Sequence, residues 1–279
     1  MMEQTTISSI SKSGIFFSCA EKSYIVKEHV VPEHVLTHVF SGRLLVTEAS
    51  RVYTIEEGDT VLFRKNHLAK ITKFPNDATT FKSISIFFTT AFLQKYFATH
   101  PKITDGNQDS VRQLNKHPLL DSLFNSLSPY FDFQDSLPEE LAEMKLMEAM
   151  TILRKIDAKA EAILADFAEP GKIDLSGFMQ QNYSFNIPME RFAYLSGRSL
   201  ATFKRDFQKI FNLPPQRWLL QKRLERAHYL IAERKRKPSD VYLEVGFENL
   251  SHFSFAFKQA YGYNPSGLAE PSTKVSLSF

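Results

Sequence analysis

Between Gly14 and about Phe88 the chain alternates apolar and polar residues with a period of two, in short runs: YIVKEHV, HVLTHVF, RLLVTE, RVYTIEE, TVLFRK, LAKITKF and FKSISIFF. β-Branched and aromatic residues dominate these runs, and turn formers such as Ser41-Gly42 and Glu56-Glu57-Gly58-Asp59 interrupt them. This pattern predicts an antiparallel sandwich or barrel. From Ala91 onward the period changes. The run LPEELAEMKLMEAMTILRKIDAKAEAILADF (137–167) is rich in helix formers and sets Leu141, Met144, Lys145 and Glu148 at helical spacing. AEPGKID (168–174), with both Pro and Gly, marks the expected boundary.

Beyond that boundary the pattern is helical throughout. Asp174 is placed to cap a helix that shows Leu175, Phe178 and Met179 on one face and ends near Asn182. PMERFAYLSG (188–197) reads as a short helix with Pro at its start, where a missing amide hydrogen costs nothing. SLATFKRDFQKIF (199–211) begins on a good N-cap, Ser199. A longer helix is expected from about Pro215 to Ala232, with Leu220, Leu224, Ala227 and Ile231 on one stripe. DVYLEVG (240–246) and NLSHFSFAFKQAY (249–261) then repeat the order of short helix, turn and long helix.

A shift of 50 residues superposes the two arrangements. Leu200 falls on Leu250, Phe203 on Phe253, Phe207 on Phe257, Phe211 on Tyr261 and Pro215 on Pro265. Ser196 matches Gly246 at the turn, and Asn212 matches Gly262 where a left-handed residue ends a helix. Phe203, Phe207, Ile210 and Phe211 share one helix face, as do Phe253, Phe257, Ala260 and Tyr261, so these residues are expected in the core. The opposite faces present Ala201, Lys204, Arg205 and Gln208 in the first unit. In the second they present Ser251, Phe255 and Lys258, flanked by His252 and Ser254. A short helix, a turn and a second helix with a polar outer face make a helix-turn-helix, whose second helix fits a major groove about 12 Å wide. Arg and Lys suit guanine edges, while hydroxyls and small side chains suit either base edge or a thymine methyl. Two such units on a rigid linking helix would read groove segments about 34 Å apart.

Charge points the same way. The net charge of +3 over 279 residues says little, but residues 1–170 carry 18 Lys+Arg against 22 Asp+Glu and residues 171–279 carry 16 against 9. Within Arg191–Lys237 the count is 13 against 3, which fits an anionic partner for the C-terminal part. Arg198, Gln208, Lys209, Arg217, Lys222, Arg226, Lys258 and the RKRK run (234–237) are candidates for phosphate contacts, while Arg223 is expected to make hydrogen bonds inside its own domain. Cys19 is the only cysteine, so neither a disulfide framework nor a cysteine-based zinc site is expected. The N-terminus lacks the apolar run of a signal peptide and no segment approaches a membrane span, so a reducing cytoplasm and no membrane partner are expected.

RFAYLSGRSLATFKRDFQKIFNLPPQRWLLQKRLERAHYLI followed by DVYLEVGFENLSHFSFAFKQAYGYNP resembles the DNA-binding domain of AraC/XylS-type bacterial transcription regulators. The marks are RLERA (223–227) and GF…F…FK…G…P (246–265). The resemblance implies that the first reading helix contacts bases through Ala201, Thr202, Lys204 and Arg205, and the second through Asn249, Leu250, Ser251, His252 and Ser254. Phe255 departs from the family, which commonly has a basic residue there; a thymine methyl contact and local packing are both open. THVFSGRLLVTEASRVYTIEEGDTVLFRKNH is similar to the small cupin-like sensory domain found in many of these regulators. The resemblance implies a multidomain α+β chain. A cupin-like antiparallel β-barrel (1–90) precedes a helical segment for dimerisation or for packing on its own barrel (91–167). A linker (168–174) then leads to an all-α domain of two helix-turn-helix units joined by a linking helix (175–270). It also implies a DNA-binding regulator, more often an activator that contacts RNA polymerase. The effector, a small molecule or a protein, is unassigned, and a homodimer is possible.

Cupins include metalloenzymes, and His29, His34, His38, His67 and Glu48 are the candidate ligands here. A catalytic cupin shows a His-x-His pair and a following Glu. His34 and His38 are four apart, which on one strand separates them by about 13 Å. That is too far to share an ion. With no nucleophile–base signature and no phosphate-cradling glycine loop, no enzyme, metal or cofactor is expected. A metal-dependent cupin enzyme fused to a DNA-binding module stands as the alternative class.

Overall fold

The computed structural model describes residues 14–49, 51–76, 80–101, 109–131 and 137–269, and for residues 24–30 the backbone alone. It forms two compact units that divide after Glu169. In the first unit, β1 (Ile15–Ala20), β3 (His34–Ser41), β6 (Thr60–Phe63), β8 (Phe81–Phe88) and β9 (Val111–Leu114) form one sheet, in the order β1-β8-β3-β6-β9. The second sheet has the order β2-β7-β4-β5, from β2 (Tyr24–Val31), β7 (His67–Phe74), β4 (Arg43–Thr47) and β5 (Val52–Ile55). Every pairing is antiparallel, and both sheets are open.

The period of two sorts side chains between two cores. Val35, Val39, Val61 and Phe81 of the five-stranded sheet meet Leu44, Val46, Ile55 and Ala69 of the four-stranded sheet. On its other face Leu36, Leu62, Ile84, Ile86 and Phe88 pack with helices α1 (Thr90–Thr99), α2 (Pro118–Asn125), α3 (Glu139–Ile156) and α4 (Ala158–Ala165). A sheet covered on both faces loses the polar half of its alternation. β6, TVLF, is accordingly buried at all four positions.

The face of α3 differs from the one expected. Ala142, Leu146, Ala149, Met150, Ile152 and Leu153 are buried, whereas Met144 of the expected stripe is 68% exposed. The buried face mixes large residues, Leu146, Met150, Ile152 and Leu153, with Ala142 and Ala149, and lies beside the expected stripe.

The histidines have structural partners. His34 and His38 lie on the helix-facing side of β3. The Lys65 amide donates to His34 Nδ1 at 3.3 Å, so Nε2 carries the proton and donates to the Asp166 carbonyl at 2.9 Å. Burial pushes the His34 imidazole down to about 4. Lys65 Nζ donates to the Phe167 carbonyl at 2.8 Å and Arg64 pairs with Asp166, so the end of the first unit is tied down from β3 and the β6–β7 turn. His38 bonds the Thr60 hydroxyl at 2.9 Å and stacks on Phe124 with ring centroids 4.8 Å apart. His67 Nδ1 bonds the Arg64 carbonyl, and its Nε2 lies 3.8 Å from Glu48 Oε1. Burial pushes it down to about 4 as well. The side chain of His29 lies outside those described. Among the described residues no three potential ligands form a metal-holding group, and no helix is long and apolar enough to cross a membrane.

The second unit comprises α5 (Leu175–Asn182), α6 (Met189–Leu195), α7 (Leu200–Phe211), α8 (Pro215–Ala232), α9 (Pro238–Glu244), α10 (Leu250–Tyr261) and α11 (Ser266–Ala269). Asp174 caps α5 through the amides of Ser176 and Gly177. At 18 residues α8 is about 27 Å long, enough to carry a separate core at each end. Trp218 near its start packs against Phe207 and Phe211, at centroid distances of 5.6 and 4.6 Å. Leu224, Ala227, Leu230 and Ile231 toward its end pack with Val241, Val245, Phe253 and Phe257.

Candidate nucleic-acid interface

Each reading helix is set from both ends. Ser199 Oγ accepts the Thr202 amide at the start of α7, and Asn249 Oδ1 accepts the His252 amide at the start of α10. At the other end Asn212 and Gly262 both take the left-handed conformation, with φ of 54° and 83°. Caps and helices therefore superpose at an offset of 50 residues. The turns before them do not. α6 ends at Leu195 and α9 at Glu244, so the second turn is one residue longer, and the glycine with positive φ in the first turn is Gly197. Gly246 thus corresponds to Gly197 and not to Ser196, whose buried hydroxyl donates to the Ala193 carbonyl. A local conformational requirement, not the numerical repeat, places the glycine.

The inward faces are formed by Phe203 and Phe207 in α7 and by Phe253, Ala256 and Phe257 in α10, all buried. Ile210 and Ala260, expected with them, are exposed, as is Leu220 of the α8 stripe. Ala201, Lys204, Arg205, Gln208 and Lys209 are exposed on α7, and Ser251, His252, Phe255 and Lys258 on α10, with Leu250 exposed and Thr202 and Ser254 half-buried. Two expected readers have prior commitments: the Thr202 hydroxyl accepts from Ser199 at 3.0 Å, and Asn249 Oδ1 serves as the cap. Phe255 is 70% exposed and lies off the buried face of α10.

Arg198, expected at a phosphate, is instead held inside its own domain. Its side chain is only 7% exposed, with Nη1 donating to the carbonyls of Ile173 and Ser196 and Nε paired with Asp206 at 3.2 Å. Asp206 also lies 3.5 Å from Arg205, whose side chain is 65% exposed. The sequence carried no signal for Asp206, since adjacent helix residues do not share a face. Arg217 is exposed, Lys222 pairs with Glu225 at 2.8 Å, and Arg226 stacks over the Tyr229 ring at 5.4 Å. Arg223 donates to the carbonyls of Tyr183, Gly246 and Phe185 at 2.8–2.9 Å, the internal role expected of it.

A family model described as a helix-turn-helix domain matches residues 193–270, and one described as the ExsA N-terminal regulatory domain matches residues 34–163. The chain is an AraC-family regulator. As such it is a DNA-binding transcription regulator. Among AraC-family relatives, the virulence regulon transcriptional activator VirF of Yersinia enterocolitica is 24% identical over 235 residues, covering 82% of this chain and 86% of VirF. The regulator ExsA of Pseudomonas aeruginosa is 21% identical over 232 residues, covering 82% and 83%. A crystal structure of apo ToxT from Vibrio cholerae is 14% identical with a TM-score of 0.45, covering 92% of this chain and 97% of that one.

Proposed function

We propose that this AraC-family regulator binds a promoter operator with α7 and α10 in successive major-groove segments and activates transcription there through contact with RNA polymerase. The supporting observation is that both helices bury matching phenylalanines, Phe203 with Phe253 and Phe207 with Phe257, and expose the matching pairs Ala201 and Ser251, Arg205 and Phe255, and Gln208 and Lys258, capped at both ends in equivalent ways. Base edges are assigned to Ala201, Thr202, Lys204 and Arg205, and to Leu250, Ser251, His252, Ser254 and Phe255, with a reduced share for Asn249. Phosphates are assigned to Gln208, Lys209, Arg217, Lys222, Arg226 and Lys258. The first unit serves as the sensory and regulatory part, with no catalytic role, and the chain works in the cytoplasm.

Self-association belongs to the same reading. The outward strip of α3 carries exposed Met144 and Met147, with Glu139, Glu140 and Glu143 toward its start and Lys155 and Lys159 at and beyond its end. An antiparallel pair of α3 helices about a two-fold axis brings each acidic end to the basic end of a second copy and covers the methionines. The test of the DNA reading is a gel-shift series on selected operator duplexes. Arg205→Ala is expected to lose about 1–3 kcal/mol of discrimination at one base pair. Unchanged affinity and base preference would falsify the assignment.

A further inference from the structure

The duplication allows the two reading helices to be compared slot by slot. Their N-caps, Ser199 and Asn249, and their left-handed C-caps, Asn212 and Gly262, stand 50 residues apart, so the register between α7 and α10 is set from both ends. In that register Ala201 corresponds to Ser251, Lys204 to Ser254, Gln208 to Lys258, and Arg205 to Phe255. The last pair is the most divergent, and both of its members are exposed: the Arg205 side chain is 65% exposed and Phe255 is 70% exposed. Neighbouring Ala256 and Phe257 are buried, so the helix had an interior face available and Phe255 lies off it.

Arginine presents paired donors to the two acceptors of guanine, while a phenyl ring has neither donor nor acceptor. The one apolar group that a base pair shows in the major groove is the thymine methyl. We infer that equivalent slots of the two helices read different bases: Arg205 reads a guanine in the first subsite, and Phe255 packs on a thymine methyl at the same offset in the second. This rests on the DNA-binding reading above and adds to it that the operator is asymmetric. A second consequence is that specificity in the second subsite depends on a methyl group and not on hydrogen bonds at that slot.

The experiment selects duplexes from a randomised library with the full chain. The selected sites should carry a G·C pair in one subsite and a T·A pair at the matching offset in the other, about one helical turn away. Deoxyuridine then replaces that thymine, which removes only the methyl. Binding by the wild-type chain should weaken about fourfold, the value of one buried methyl. Phe255→Ala should bind the thymine and uracil duplexes equally, and Phe255→Leu should keep part of the difference. Arg205→Ala should lose the guanine preference and leave the thymine-to-uracil ratio unchanged. Because Phe255 is exposed, matching circular dichroism melts verify that its variants fold. Equal wild-type affinity for thymine and uracil at every position of the second subsite, with guanine selection intact, overturns the role of Phe255 alone. Failure to enrich any sequence overturns the DNA-binding reading itself.

Discussion

Gly246 occupies a site with no room for a side chain. Its φ is +95°, and a Cβ there would stand 2.5 Å from the Ser184 carbonyl oxygen and 2.8 Å from Arg223 Nε. The left-handed conformation and the close approach both exclude an L side chain. Gly246→Ala is therefore expected to destabilise the second unit by about 2 kcal/mol or more, measured as a lower denaturant midpoint in the fluorescence of Trp218, the only tryptophan. Arg223 is the companion case. A lysine keeps the charge but not the three-way fork onto Tyr183, Phe185 and Gly246, so Arg223→Lys should weaken the fold nearly as much as Arg223→Ala. At this scale the sequence was informative where a residue has only one use. The internal arginine was legible and Gly246 was placed at its turn, though matched to Ser196 in place of Gly197, whereas Arg198 was not separable from a surface cation, because its burial depends on Ile173 and Asp206 meeting it in space.

Helices α7 and α10 were readable almost to the residue because capping is local chemistry: Ser199, Asn212 and Gly262 announce the ends within a few positions of where they act, whereas Asn249, expected to read a base, turned out to be the N-cap of α10. Ser199→Ala should cost about 1 kcal/mol by leaving the Thr202 amide without its acceptor, detectable as a shifted urea midpoint. On α10, Lys258→Ala should reduce the slope of log affinity against log salt by about 1 with base preference unchanged, the mark of a phosphate contact. α3 was harder to read. Its buried stripe runs through Ala142 and Ala149, and its large methionines 144 and 147 face outward. Met144→Glu in the full chain should shift sedimentation toward the monomer. An unchanged mass distribution would remove α3 from any subunit interface.

At the scale of the molecule, the first unit carries buried neutral imidazoles. His34 and His67 are held near 4 against an ordinary 6.5, with burial as the main cause. Between those values the unfolded chain takes up protons that the folded chain does not. Stability is therefore full above about pH 6.5 and falls as the pH drops toward 4, at up to about 1.4 kcal/mol per pH unit for each histidine. Circular dichroism melts at pH 7 and pH 5 should show a lower midpoint at pH 5, and His34→Gln should reduce the difference. A midpoint independent of pH across that range would contradict the burial assigned to both rings.

Periodicity, capping and the 50-residue repeat are carried by residues close together in the chain, so the sequence by itself determined the sheet-rich first part, the helical second part and the surfaces available for DNA. Which face of the five-stranded sheet meets helices, which arginine is buried, and whether Phe255 packs inward depend on groups far apart in the chain. Burial is settled only when those groups are brought together, and the tertiary structure decided it: His34 against Asp166, Arg198 against Ile173, and Phe255 left 70% exposed.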